Sequence, residues 1–139
     1  MASFHVLLVD DELAFLETLA KRLRKRNIDI TLSGSAKEAL RILCERPVDV
    51  VVLDLKMPGM DGIQAVREIK RATPLVEVIM LTGHASVEAA IEGMELGAFD
   101  YLTKPVDIEE LVYKLQDAYR KKSIEEEKTR LMQHAAKPN

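Results

Sequence analysis

The chain predicts an α/β fold, a parallel β-sheet covered by helices on both faces. Short apolar runs rich in β-branched residues recur along the sequence, and each is followed by a segment with helical periodicity. The runs also end alike, on carboxylates, a hydroxyl or a lysine beside turn residues. In open parallel sheets that is the edge where chemistry takes place.

The elements follow in order. Val6-Leu7-Leu8-Val9 is the first strand and ends on Asp10-Asp11-Glu12; a helix over about 12–26 carries Leu13, Leu16, Leu19, Ala20 and Leu23 on one side. The more polar, alternating run 28–33 reads as an edge strand. Ser35 and Glu38 form a capping box for the second helix, whose stripe is Ala36, Ala39, Leu40 and Leu43. Val50-Val51-Val52-Leu53-Asp54 is a buried strand that ends on a carboxylate, with a break at Pro58-Gly59. The third helix opens at Asp61, with Gln64 three residues on, turns Ile63 and Val66 inward, and stops before Pro74.

Val78-Ile79-Met80-Leu81 leads to Thr82-Gly83. The fourth helix begins near Ser86, gathers Val87, Ala90, Ile91 and Met94 on one face and ends at Gly97. Tyr101-Leu102 is the last strand and leads into Thr103-Lys104-Pro105. The fifth helix starts at Asp107, with Glu110 as its box partner, and buries Ile108, Leu111, Val112, Leu115 and Tyr119. The apolar stripe then fades. Residues 121–128 continue as a charged helix supported by pairs such as Glu126 with Arg130, and fraying is expected from about His134. Ile124 and Leu131 lie one heptad apart, too little for a coiled coil, so a solvated tail is expected. Residues 4–120 thus read as one domain and 121–139 as a charged helical extension or linker.

Composition narrows the function. With 139 residues, 47% hydrophobic and 31% charged, the chain has the content of one globular domain plus a short extension. A net charge of −3 gives no electrostatic footprint for direct nucleic-acid binding. Cys44 has no partner for a disulfide, and its place on the second helix's apolar stripe reads as an inert core thiol in a reduced compartment. No leader and no apolar stretch of membrane-spanning length is visible, so a cytoplasmic protein is expected, with no membrane partner.

If the strands are parallel neighbours, Asp10, Asp11, Asp54, Thr82 and Lys104 surround one cleft. Asp54 alone has a plainer reading as a turn former, and Thr82 as a β-branched strand residue. Three crowded carboxylates repel one another unless a cation or protons compensate. An all-oxygen set with room for water suits Mg2+ (or Mn2+), and the three scattered His and single Cys support no soft-metal site.

The motifs Leu8-Val9-Asp10-Asp11-Glu12, Leu53-Asp54-Leu55-Lys56-Met57-Pro58-Gly59-Met60-Asp61-Gly62, Leu81-Thr82-Gly83 and Gly97-Ala98-Phe99-Asp100-Tyr101-Leu102-Thr103-Lys104-Pro105 resemble those of bacterial two-component response regulator receiver domains. The resemblance covers about residues 4–120 with every motif in order. It implies a flavodoxin-like (βα)5 doubly wound sheet of order 2-1-3-4-5. It implies that Asp54 accepts a phosphoryl group from a sensor histidine kinase or phosphotransfer protein. Mg2+ would be held by Asp11 and Asp54, by Asp10 through water and by the Lys56 backbone carbonyl, and Thr82 and Lys104 would bind the phosphoryl oxygens. By the same resemblance Pro105 is a cis proline that orients the lysine. Tyr101 is a switch aromatic, and Lys56 and His84 tune the lifetime of the phosphoryl group. The face of the fourth helix, fifth strand and fifth helix would then address a downstream effector or output domain, and dimerisation on phosphorylation is compatible with it. The side chain of Glu12 has no assigned role beyond favouring a helix start.

Two other functions fit the sequence less well. A haloacid-dehalogenase-type phosphatase also uses a strand-end Asp nucleophile, but such enzymes resemble D-x-D-x-T, and here Lys56 stands at the second acidic position. A dinucleotide or flavin binder needs a Gly-rich phosphate loop after the first strand, where Asp10-Asp11-Glu12 would repel phosphate. The stretch from Thr82 to Ile91 most resembles receivers joined to nitrogen-regulation-type transcriptional activators. Stand-alone receiver, excised receiver module and hybrid-kinase receiver all remain open on the sequence.

Overall fold

A computed structural model describes residues 4–56, 59, 61–83 and 87–136. Five strands, β1 (His5–Val9), β2 (Asp29–Ser33), β3 (Val50–Asp54), β4 (Glu77–Thr82) and β5 (Asp100–Thr103), alternate with α1 (Leu13–Arg24), α2 (Ala36–Glu45), α3 (Gly62–Ala72), α4 (Val87–Glu95) and α5 (Ile108–Ala136). The strands form one parallel sheet of order β2-β1-β3-β4-β5, as the resemblance implies.

The period of two along each strand sorts the core into two layers. Leu7, Val9, Val51, Leu53, Val78 and Met80 face the side covered by α2, α3 and α4. Val6, Leu8, Val50, Val52, Ile79 and Leu81 face the side covered by α1 and α5. Because β1, β3 and β4 are covered on both faces, nearly every position in them is apolar, which explains their continuous runs. Each such side chain contributes about 1.5–3 kcal/mol on burial.

Helix starts follow their caps. Ser35 Oγ accepts from the Glu38 amide at 3.1 Å, but the Glu38 carboxylate accepts from the Gly34 amide rather than from Ser35. The box is therefore half formed. Asp61 caps α3 through the Ile63 amide at 3.2 Å, and Asp107 caps α5 through the amides of Glu109 and Glu110. α1 ends before Arg26, where Asn27 adopts a left-handed φ of 62°.

Several expectations about faces are corrected. Leu13, the first residue of α1, is exposed; the buried set is Leu16, Leu19, Ala20 and Leu23. Cys44 is exposed, not a core thiol. It lies about 100° round the helix from Leu43, and Ile42 fills the inward position instead. In α4 the buried positions are Ala90 and Gly93, while Val87, Ile91 and Met94 face outward. The expected start of α4 at Ser86 lies outside the described residues. In the long α5, Glu126 pairs with Lys122, and Arg130 pairs with Glu127. Residues 137–139 lie outside the described set.

Candidate functional site

Parallel pairing in register brings the strand ends together. β1 pairs with β3 from Val6↔Val50 to Val9↔Leu53, and β3 with β4 up to Asp54↔Leu81. Asp10 therefore emerges beside Asp54, and Thr82 ends the neighbouring strand. Beyond it, the amide of Lys104 donates to the Thr82 carbonyl at 2.8 Å, so Lys104 starts from the same edge.

Asp10, Asp11 and Asp54 each present a carboxylate oxygen within 4.8 Å of the others. Asp10 and Asp54 are buried and Asp11 is exposed. The Lys104 ammonium lies 3.0 Å from Asp10 Oδ2, 3.6 Å from Asp54 Oδ2 and 4.0 Å from Glu12 Oε1. Asp54 Oδ1 accepts from the Lys56 amide at 3.2 Å, and Asp10 Oδ1 from the Glu12 amide at 3.0 Å. Turn amides and one lysine thus hold the two buried acids in place.

Burial pushes the Asp54 carboxyl above its usual value. The Lys56 amide opposes this, the Asp10 charge adds to it, and Lys104 again opposes it. For Lys104, burial pulls the ammonium down, but the hydrogen bond to Asp10 and the charges of Asp54, Asp10 and Glu12 outweigh it, so its pKa is raised. Three carboxylates beside one ammonium carry a formal excess of two negative charges. That imbalance, and a donor set of oxygens alone with one exposed member, fit a hard divalent cation that keeps part of its water.

The other site residues fall as follows. Thr82 is buried, its hydroxyl within 3.5 Å of the Leu102 carbonyl. Tyr101 points outward with its side chain 45% exposed, beside a small apolar cavity lined by Thr82, Gly83, Val87, Ala90, Ile91 and Thr103. The Lys104–Pro105 bond is cis. The Lys56 side chain is exposed and reaches towards Gly83. His84 lies outside the described residues. Sequence reasoning missed Phe15, whose ring centroid is 4.5 Å from the Lys104 ammonium. Its place in the first turn of α1, close behind Asp11, was the available signal. Glu12, left without a role, also lies within reach of Lys104.

Comparison with known proteins agrees with this geometry. The family model described as "Response regulator receiver domain" matches residues 6–116. The chain is 40% identical over 114 residues to the transcriptional regulatory protein GlrR of Escherichia coli, covering 82% of this chain and 26% of that protein. The chain thus spans about a quarter of the length of this curated relative. A crystal structure of a response regulator receiver domain protein from Clostridium thermocellum superposes with a TM-score of 0.84 at 37% identity, covering 87% of this chain and 98% of that one. NtrX from Brucella abortus gives a TM-score of 0.85 at 27% identity, covering 94% of this chain and 30% of that one.

Proposed function

Because the chain belongs to the response regulator receiver domain family of two-component systems, we propose that it accepts a phosphoryl group on Asp54. The observation that carries this reading is the buried Asp54 carboxylate at the end of a central strand, with the Lys104 ammonium 3.6 Å away and two more carboxylates beside it. In the step, an Asp54 oxygen attacks the phosphorus of a phosphohistidine on a sensor kinase or phosphotransfer protein. The P–O bond forms, the P–N bond breaks, and its electron pair returns to the imidazole nitrogen. Little covalent help is needed; the requirement is alignment and neutralisation of the phosphoryl oxygens.

The chain's residues divide that work. Lys104 turns its ammonium to one phosphoryl oxygen and the Thr82 hydroxyl donates to another. The Lys56 amide keeps Asp54 aimed outward. Mg2+ (or Mn2+) bound by Asp10, Asp11, Asp54 and the Lys56 carbonyl would supply the remaining positive charge. Self-dephosphorylation would be slow, with Lys56 and His84 adjusting its rate. The cavity beside Tyr101 offers room for that ring once Thr82 moves toward phosphate, which would couple the site to the face of α4, β5 and α5.

In this reading residues 4–120 form the receiver, and 121–139 lead to an output domain or effector. GlrR is a transcriptional regulatory protein, and the likeness to it supports transcription as the output this receiver would address. Acetyl phosphate with Mg2+, followed by intact mass, tests the chemistry. The wild-type chain gains one phosphoryl mass and Asp54→Asn gains none; equal labelling of the two would refute the assignment.

A further inference from the structure

We propose that Phe15 is a positioning residue for Lys104, its ring holding the ammonium over the buried acids Asp10 and Asp54. The inference rests on the phosphoryl-acceptor reading above. Lys104 carries its charge on a flexible four-carbon stem that can point several ways. Two directions compete. Inward lie Asp10 at 3.0 Å and Asp54 at 3.6 Å, both buried; outward lies Glu12 at 4.0 Å, whose side chain is 70% exposed.

The inner pull alone does not settle the choice, since the Lys104 side chain is only 25% exposed and its ammonium loses water on turning inward. The Phe15 ring supplies the missing wall. Its centroid lies 4.5 Å from Nζ, and its electron-rich face attracts a cation that has shed part of its water. The ring is half-buried and packs against the layer between α1, α5 and the sheet, so its own position is held. Phe15 stands in the first turn of α1, just after the loop that carries Asp11, so the segment that presents an acid to the site also presents the ring that places the lysine.

A merely greasy contact would be met equally well by leucine; an aromatic face would not. Phe15→Leu and Phe15→Trp in the full chain separate the two. The first readout is the proton shift of the Lys104 ε-methylene, assigned with Lys104→Ala, which ring current moves upfield wherever an aromatic ring sits over it. The second is the rate at which acetyl phosphate and Mg2+ label Asp54. The expected result is an upfield ε-methylene in wild type and Phe15→Trp, loss of that shift in Phe15→Leu, and labelling roughly fivefold slower in Phe15→Leu alone.

An unshifted ε-methylene in wild type overturns the proposal, as does a Phe15→Leu rate equal to wild type. So does a Phe15→Trp variant as slow as Phe15→Leu. Wild type that takes no label on Asp54 sinks the acceptor reading instead, and the positioning role with it, whatever the Lys104 shift reports.

Discussion

Asp54 bears the sharpest electrostatic conflict among the single residues. Its carboxylate is withdrawn from water beside the Asp10 carboxylate, and the Lys56 amide and Lys104 only partly offset this. A carboxyl whose folded pKa is raised binds its proton more tightly in the native state than in the unfolded chain. Stability therefore falls as pH rises from the ordinary value of 3.8 through the raised value, and stays lower above it. Asp54→Asn removes that penalty. In chelator-treated protein at neutral pH, the variant is expected to melt at a higher temperature than wild type. The gap should narrow in acid, and narrow again when a divalent cation is added to wild type. Thermal unfolding across pH, with and without Mg2+, measures both; an Asn variant less stable at neutral pH would reverse the sign of the argument.

At the scale of elements, two glycines decide how closely helices approach the sheet. A Cβ on Gly93 in α4 would sit 2.1 Å from Met80 Sδ, and one on Gly62 at the start of α3 would sit 2.5 Å from Leu55 Cα. The first obstacle is a side chain and the second is backbone. Gly93→Ala is expected to cost about 1–3 kcal/mol, and much less when combined with Met80→Ala, because the clashing atoms are then gone. Gly62→Ala should cost at or above about 3 kcal/mol with no side-chain partner to relieve it. Denaturant unfolding of the two singles and the double tests this; additive behaviour of Gly93→Ala and Met80→Ala would contradict it. The same approach by Gly93 explains why α4 turns its larger apolar residues outward. Its smallest side chains take the sheet side, leaving Val87 and Ile91 beside the Tyr101 cavity where a switch would act.

Across the whole molecule, α5 ties the two ends of the sheet together. At the end opposite the acids, Lys121 reaches the buried Glu77 at 2.9 Å and Lys122 reaches Asp49 at 2.8 Å, while Phe4 stacks on Tyr119 with centroids 4.7 Å apart. Glu77 Oε1 is buried without a hydrogen bond, with the Lys70 ammonium 3.8 Å away. Burial lowers the Lys122 pKa, but hydrogen bonds to Asp49 and Glu126 outweigh that and hold it above the ordinary 10.5. A raised lysine stabilises fully below that ordinary value, and its contribution is lost as pH climbs through the folded value. Alkaline unfolding should therefore show a loss of stability above pH 10.5 that is smaller in Lys122→Met. An identical alkaline loss in both proteins would mean the pair does not anchor α5. Among the described residues no helix is long and apolar enough to cross a membrane.

The parallel α/β sheet was legible in the apolar runs, and with those strands as neighbours so was the convergence of Asp10, Asp11, Asp54, Thr82 and Lys104. Strand ends in a parallel sheet share one edge, and apolar runs mark where strands end. Caps at Ser35, Asp61 and Asp107 were legible for the same local reason, since a side chain meets an amide two or three residues away. Which flank of a helix is covered depends on how the helices pack against the sheet. Cys44, Ile91 and Met94 each sit one helical step from a buried neighbour, and periodicity does not resolve a rotation that small. Phe15 and Lys104 lie far apart in the chain, and their contact depends on α1 and β5 meeting the same sheet edge. Distance along the chain carries no record of such a meeting, because packing alone creates it.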